Sequence, residues 1–170
     1  MATKLCIYDW FKKMKFLIFG GNGFLGSYLK KNLKKNYTVA SVSRIKKNGI
    51  YLKSYTQINI SKIISKINPD VIINTIALTN VDKCQTSKKI AYRSNVIILK
   101  LITQSINQLN NKIKRPFLIH LSTDQVYSGK GPHSEFSVKP INYYSKTKLL
   151  SEKYVDFKNG CVLRTNFLGY

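Results

Sequence analysis

Residues 15–26 read KFLIFGGNGFLG, an apolar run followed by closely spaced glycines. The apolar run at 15–19 is typical of a buried β-strand, and the glycines that follow it predict a tight turn. From Phe24 to Lys35 the apolar residues recur at helical spacing, so the turn leads directly into a helix. A strand, a glycine-rich turn and a helix in this order are typical of a dinucleotide-binding domain.

The glycines of this turn are spaced as G-x-x-G-x-x-G, and counting from Gly21 also gives G-x-G-x-x-G, so spacing alone leaves the subfamily open. Small residues allow the sharp turn, the approach of the backbone to a pyrophosphate, and close packing of helix on strand. The first turn of the helix offers unpaired N–H groups to phosphate. We therefore predict that a cofactor contacts Gly20, Gly23, Phe24, Leu25 and Gly26.

The rest of the chain alternates strands and helices. Apolar runs predict strands at 37–42, 71–76, 117–121 and 161–164, helical spacing predicts helices at 90–109 and 143–155, and a further strand is expected at 55–60. This alternation predicts an α/β protein, a three-layer Rossmann fold with a parallel sheet and helices on both faces. Residues 14–170 are expected to form this domain, and residues 1–13 to be an N-terminal extension.

Composition excludes several other classes of protein. The chain has 170 residues, of which 44% are hydrophobic, which argues against global disorder. No apolar run approaches the roughly 18 to 20 residues that cross a bilayer, and the first residues lack the pattern of a secretory signal. We expect a cytoplasmic protein without a membrane partner. Cys6, Cys84 and Cys161 are widely spaced, which favours reduced thiols and predicts no metal site.

The net charge is strongly positive. Twenty-nine Lys and Arg residues against seven Asp and Glu residues give +22. The lysines occur singly or in pairs and never form a block of five or more, so a solvated basic surface is favoured over a nucleic-acid groove. Nucleic acid is therefore not an expected partner despite the charge.

The end of the second predicted strand bears on the choice of cofactor. Domains that prefer NAD usually place an acidic residue here, to bind the ribose 2′-hydroxyl. This chain has no Asp or Glu between Asp9 and Asp70, and the strand ends in Ser43 and Arg44. A guanidinium at this point is suited to a 2′-phosphate. We predict that Ser43 and Arg44 contact the cofactor and that NADPH is preferred, with NADH left open.

Two residues of the predicted helix at 143–155 suggest acid–base chemistry. Tyr144 and Lys148 are four residues apart, so their side chains share a helix face. A neighbouring ammonium favours the phenolate and makes a tyrosine a usable general acid or base. Thr123 follows the strand predicted at 117–121, at the edge of a parallel sheet where ligands gather. These three residues are the predicted catalytic group.

Three longer stretches resemble one known family. Residues 121–155 read LSTDQVYSGKGPHSEFSVKPINYYSKTKLLSEKYV, residues 70–85 read DVIINTIALTNVDKCQ, and residues 162–170 read VLRTNFLGY. Together with the glycine turn they resemble extended short-chain dehydrogenase/reductases, specifically the dTDP-4-dehydrorhamnose reductase family. The resemblance runs from about Met14 to the end of the chain.

The resemblance implies a reductase that acts on a 4-keto-6-deoxy sugar nucleotide. It implies hydride delivery from NADPH to the C4 ketone and protonation of the alkoxide by Tyr144. Lys148 would hold the nicotinamide ribose and lower the pKa of the tyrosine, and Thr123 would orient the carbonyl oxygen.

Other positions match the family pattern less directly. Ala77, Asn95 and Thr165 match positions that line its cofactor cleft. Glu135, Pro140 and Asn142 are expected to shape the loop before the catalytic helix. Ser145 follows Tyr144 where glycine is common in the family. The family also has a further C-terminal region that helps to form the sugar-nucleotide pocket, so this substrate region is expected to be absent or truncated here.

Two alternative functions remain open from the sequence. One is a sugar-nucleotide epimerase or dehydratase on the same fold, although Gln125 stands where such a dehydratase typically has Glu. The other is a non-catalytic dinucleotide-binding regulatory subunit. Retention of Thr123, Tyr144 and Lys148 favours the enzyme, and a homodimer is left open.

Overall fold

The computed structural model describes residues 14–47, 49–110 and 113–166, so the extension predicted at 1–13 lies outside the described residues. Six parallel strands form one sheet in the order β3-β2-β1-β4-β5-β6. Their bounds are β1 Lys15–Phe19, β2 Thr38–Ser43, β3 Ile50–Tyr51, β4 Val71–Asn74, β5 Phe117–Thr123 and β6 Gly160–Thr165.

The helices connect successive strands. They are α1 Phe24–Leu33, α2 Gln57–Ile67, α3 Val81–Thr86, α4 Lys88–Tyr92, α5 Ile98–Asn107 and α6 Tyr143–Glu152, with a π-helical turn at Arg93–Ile97 between α4 and α5 and a 3₁₀ turn at Asp124–Val126. No helix in the described ranges is long and apolar enough to cross a membrane.

Helices cover both faces of the sheet, which confirms the predicted three-layer Rossmann fold. On one face Leu17, Phe19 and Ile72 pack against α2 and α5. On the opposite face Ile18 and Ile73 pack against the apolar side of α1. The central strand β4 is buried along its whole length, as expected for a strand covered on both sides.

The strand predicted at 55–60 is wrong. The structure has helix α2 in this region, and the Thr56 side chain caps it by accepting a hydrogen bond from the backbone N–H of Asn59. Ile60 and Ile64 are fully buried and lie one helical turn apart. The buried residues of this segment thus follow the four-residue spacing of a helix and not the two-residue alternation of a strand. The two-residue strand β3, which was not predicted, pairs with the end of β2.

The order of the strands determines where a ligand can bind. The chain runs outward from β1 to β3 and then crosses to β4 on the other side of β1. At such a reversal the loops after neighbouring strands diverge and leave a crevice at the carboxyl ends of the strands. The loops that follow β1 and β4 border this crevice, together with the ends of β5 and β6.

Candidate active site

A cleft of about 460 Å³ lies at the carboxyl ends of the strands. Nine of the residues that the sequence analysis selected line it: Gly23, Phe24, Leu25, Gly26, Ala77, Thr123, Tyr144, Lys148 and Thr165. They come from five separate segments of the chain, which the parallel sheet brings to one edge. The cleft therefore joins the glycine turn to the predicted catalytic group.

The geometry of the glycine turn depends on glycine at two of its positions. Gly20 has a φ of +92°, a conformation that favours glycine. A side chain at Gly26 would overlap the Gly20 carbonyl oxygen, so only glycine allows α1 to start this close to β1. The N-terminus of α1 has no side-chain cap and no acidic residue in its first turn. Its free N–H groups and dipole fit the pyrophosphate of a dinucleotide cofactor.

Tyr144 is buried at the wall of the cleft, with only 8% of its surface exposed. Burial raises the pKa of its phenol, a hydrogen bond with the Thr123 side chain opposes this, and Cys84 and Asp124 raise the pKa further. The phenol is therefore protonated at neutral pH. The resemblance implied the opposite shift, a pKa lowered by Lys148; in this structure desolvation dominates.

Lys148 is almost completely buried below the cleft. Its Nζ donates a 2.6 Å hydrogen bond to the carbonyl oxygen of Leu121, the residue two before Thr123. Burial lowers the pKa of Lys148 to about 8, and the nearby Glu152 carboxylate partly opposes this. The ammonium is thus protonated at neutral pH, although burial makes its charged form less favourable than it is in water.

Asn95 does not line the cleft, contrary to the expectation from the resemblance. It is fully buried in the π-helical turn, where its Oδ1 accepts from the backbone N–H of Leu78 at 2.7 Å. Its Nδ2 donates to the Thr147 hydroxyl at 2.9 Å. Asn95 therefore ties the loop after β4 to α6, because it contacts Leu78 and also Thr147, whose hydroxyl donates to the backbone carbonyl of Tyr144. A π-helical turn at a functional site is a recurring arrangement.

Ser43 and Arg44 also lie outside this cleft. The Ser43 hydroxyl accepts from the Asn22 side-chain amide at 2.7 Å, which ties the end of β2 to the glycine turn. Arg44 borders a second cavity of about 470 Å³. Lys53, Lys89 and Arg93 contribute three further cations to its lining.

The start of α6 is fixed by local hydrogen bonds. The Asn142 side chain accepts from the backbone N–H of Ser145 at 2.8 Å, and the two residues form a capping box. Ser145, which differs from the glycine common in the family, thereby takes part in the cap. Asn142 thus fixes where α6 begins.

A buried network holds the far end of this helix. The Glu152 carboxylate accepts from Ser122 and from the Arg164 guanidinium, whose Nη1 also donates to the Tyr127 hydroxyl and the Glu135 carbonyl. Strands β5 and β6 and the loop after the 3₁₀ turn are thus tied to α6. Glu135 contributes through its backbone, and its side chain plays no part in this network.

Six further residues that line the cleft were not predicted as site residues: Thr75, Thr79, Leu121, Ser122, Gln125 and Asn166. Most of them lie at or just after the carboxyl end of a strand. This position in the sequence could have identified them as cleft residues. Among the described residues, Thr165 Oγ1 is the buried side-chain oxygen that lacks a hydrogen-bond partner, and Thr165 lines the cleft. The described ranges contain no group of three or more His, Cys, Asp or Glu residues that could hold a metal ion.

Comparison with known proteins finds several relatives of similar sequence. The chain is 30% identical over 148 residues to dTDP-4-dehydrorhamnose reductase of Salmonella typhimurium, with 82% of this chain and 46% of the relative covered. It is also 30% identical over 159 residues to methionine adenosyltransferase 2 subunit beta of Xenopus tropicalis, with 89% and 46% covered. The chain thus spans about half the length of the curated relatives it matches.

Solved structures of dTDP-4-dehydrorhamnose reductases have a similar fold. A dTDP-4-dehydrorhamnose reductase from Clostridium acetobutylicum has a TM-score of 0.76 at 32% identity, covering 90% of this chain and 53% of that one. The reductase from Bacillus anthracis in complex with NADP has a TM-score of 0.74 at 25% identity, covering 89% and 53%. The family described as RmlD substrate binding domain matches residues 14–168. The chain therefore belongs to this RmlD family of extended short-chain dehydrogenase/reductase proteins.

Proposed function

We propose that this protein uses NADPH to reduce the C4 ketone of a 4-keto-6-deoxy sugar nucleotide. One observation carries the proposal: the side chains of Thr123 and Tyr144, which both bear hydroxyls, line the same cleft as the glycine turn and Lys148. A proton donor, an ammonium and a phosphate-binding helix end are therefore combined in one crevice. The dTDP-4-dehydrorhamnose reductases among its relatives supply the substrate class.

Tyr144 acts as the general acid in this proposal. Its raised pKa keeps the phenol protonated at neutral pH, so that a proton is available when negative charge develops on the ketone oxygen. The Thr123 hydroxyl orients that oxygen beside the phenol. When bound, the reduced nicotinamide supplies the hydride that the carbonyl carbon accepts. The alkoxide oxygen takes the phenolic proton, and solvent later restores it to Tyr144.

Lys148 has two roles in the proposal. Its buried ammonium has hydrogens beyond the one given to Leu121, and these bind the ribose hydroxyls of the cofactor. It also stabilises the phenolate that Tyr144 becomes after it gives up its proton, because an opposite charge nearby favours the ionised form.

The second cavity supports a preference for NADPH. Arg44, Lys53, Lys89 and Arg93 line it, and they come from the end of β2, the loop after β3, helix α4 and the π-helical turn. A 2′-phosphate placed there meets concentrated positive charge, and a 2′-hydroxyl gains far less from it. The Asn22–Ser43 hydrogen bond connects this region to the glycine turn.

Direct assay tests the proposal. The purified protein is mixed with NADPH and a panel of 4-keto sugar nucleotides, and the loss of nicotinamide absorbance is followed. We expect turnover with at least one 4-keto-6-deoxy substrate, faster with NADPH than with NADH. Cofactor binding is measured separately by fluorescence. Tight NADPH binding without turnover across the panel would contradict the reductase assignment.

A second candidate function is a non-catalytic regulatory subunit. The match to methionine adenosyltransferase 2 subunit beta, over 89% of this chain, favours it. A subunit of this kind would bind a dinucleotide and modify the activity of a partner enzyme. The Tyr144→Phe variant separates the two functions: an enzyme loses turnover, whereas the effect of a subunit on its partner persists.

A further inference from the structure

A chain of buried hydrogen bonds runs beneath Lys148. It begins at Asn74, the last residue of β4, whose Oδ1 accepts from the backbone N–H of Ile76 at 3.2 Å. The amide nitrogen of Asn74 lies 3.2 Å from Nδ1 of His120, which is fully buried on β5. An amide nitrogen can only donate, so Nδ1 of His120 accepts in this contact.

The tautomer of His120 follows from this contact. A neutral imidazole carries one hydrogen, so when Nδ1 accepts, the hydrogen is on Nε2. Nε2 lies 2.9 Å from the Ser151 hydroxyl, which donates its own hydrogen to the backbone carbonyl of Lys148 at 2.6 Å. Each contact in the chain then has one donor and one acceptor.

This tautomer matters because Lys148 Nζ lies only 3.5 Å from His120 Nε2. With a hydrogen on Nε2 the imidazole offers no lone pair to the ammonium. The hydrogens that Lys148 does not give to Leu121 thus remain free for a ligand in the cleft. The opposite tautomer would direct one of them into the protein interior.

The charges around His120 keep the ring neutral. Burial and the Lys148 ammonium both lower the pKa of His120 well below its ordinary value. The Glu152 carboxylate on α6 is engaged by Ser122 and Arg164. Asn74 on β4 and Ser151 on α6, the other partners of the ring, are uncharged.

We infer that His120 is a positioning residue, which holds Lys148 through Ser151 and leaves its ammonium hydrogens available to the cofactor. The inference rests on the proposed role of Lys148 in binding NADPH. It assigns to Asn74 the task of setting the tautomer from the adjacent strand. His120 itself lies beneath the cleft and touches no substrate.

Two variants of His120 test this role. His120→Gln places an amide that can donate near the Nε2 position and cannot take up a proton, whereas His120→Phe keeps a ring but removes both nitrogens. We expect His120→Gln to bind NADPH within about threefold of the unmodified protein and His120→Phe to bind it at least about tenfold more weakly. His133→Gln, at the other histidine, is the matched control and should leave binding unchanged.

The tautomer is measured independently by long-range ¹H–¹⁵N NMR on the unmodified protein. With only two histidines in the chain, His133→Gln assigns the signals of His120. We expect a neutral ring with its hydrogen on Nε2 at pH 7. This measurement also decides the inference if His120→Phe does not fold.

Each outcome has a distinct meaning. A hydrogen on Nδ1, an imidazolium at pH 7, or equal NADPH affinity in folded His120→Phe overturns the inference, as does His120→Gln binding as weakly as His120→Phe. If the unmodified protein binds NADPH but reduces no keto sugar, only the proposed reaction fails. If neither the unmodified protein nor His133→Gln binds NADPH, the proposed function fails and the inference fails with it.

Discussion

The side chains of Glu152 and Arg164 form a two-point ion pair across the end of α6. Arg164 Nη2 lies 2.6 Å from Glu152 Oε2, and Arg164 Nε lies 3.1 Å from Glu152 Oε1. The Glu152 carboxylate raises the pKa of the guanidinium. Since Arg164 is on β6 and Glu152 on α6, the pair fixes the helix that carries Tyr144 to the edge of the sheet.

Removing one member of this pair should destabilise the protein. The Glu152 side chain is 9% exposed, so Arg164→Met leaves a nearly buried carboxylate without its partner. We expect the free energy of unfolding in urea to fall by about 2–3 kcal/mol. Glu152→Gln combined with Arg164→Met should cost less than the sum of the single changes. Lys114→Met, which removes the exposed ion pair with Asp70, is the control and should cost about 1 kcal/mol or less. Strict additivity in the cycle would show that the pair contributes nothing.

Tyr144→Phe should abolish turnover and spare cofactor binding. General acid catalysis typically contributes about 10²–10⁴-fold, so we expect a loss in kcat of at least about 100-fold. The fluorescence titration with NADPH should stay within a few-fold of the unmodified protein. Tyr143→Phe, one residue earlier on the same helix, is the matched control and should keep its activity. Undiminished kcat in Tyr144→Phe would remove Tyr144 from the mechanism.

The buried ammonium of Lys148 predicts a pH dependence of stability. Its pKa is about 8 in the folded protein against 10.5 ordinarily, so between these values the unfolded chain holds a proton that the folded protein has released. Stability from this group therefore rises as pH increases from about 8 to 10.5, by up to a few kcal/mol. Below pH 8 both states are protonated and the contribution is flat.

Lys148→Met isolates this effect, because the other titrating groups are shared with the unmodified protein. Urea unfolding is followed by circular dichroism at pH 8 and at pH 10. The free energy of unfolding should rise more between these pH values in the unmodified protein than in the variant. At pH 8 the variant should be at least as stable, since no charge is buried, while its NADPH affinity falls. An identical pH dependence in both proteins would mean that the ammonium is not desolvated.

Arg44→Ser tests the choice of cofactor. Loss of the guanidinium should raise the KM for NADPH by about tenfold or more and leave the KM for NADH nearly unchanged, because only the phosphorylated cofactor uses that charge. Lys47→Ser, three residues later on the same loop, is the control for net charge. If both variants raise the KM for NADPH equally, the effect comes from the net charge of the protein and the cavity beside Arg44 is not the phosphate site.

Features encoded in continuous sequence were predictable. The strand, glycine turn and helix from Lys15 to Leu33 depend on local periodicity and on glycine conformation, and they appear as expected. Helix α6 begins at Tyr143, after the cap formed by Asn142. Helix α2 was missed because Ile58 and Ile60 also fit the alternation of a strand, and only packing of Ile60 and Ile64 against the sheet decides between the two periods.

Features that depend on distant contacts were not predictable. Asn95 donates a hydrogen bond to Thr147, which is 52 residues away in sequence. Because of this buried contact, Asn95 lies behind the cleft wall and not in the cleft, where the resemblance placed it. The raised pKa of Tyr144 depends on how deeply the helix is buried, which no spacing reveals. The position of Arg44 in a separate cavity likewise depends on α4 and the π-helical turn, which approach it from another part of the chain.

The π-helical turn at Arg93–Ile97 has a consequence for how this protein can change. A regular α-helix advances about 100° per residue, so one regular helix would have to orient both the core residues of α5 and the Asn95 amide that contacts α6. The wider turn separates the two: Ile98, Leu99 and Ile102 face the core, while Asn95 keeps its own direction toward α6. Deleting one residue from the turn would restore regular winding and rotate one of these faces out of register. We therefore expect conservative substitutions in the core face of α5 to leave the contact of the Asn95 amide with α6 in place.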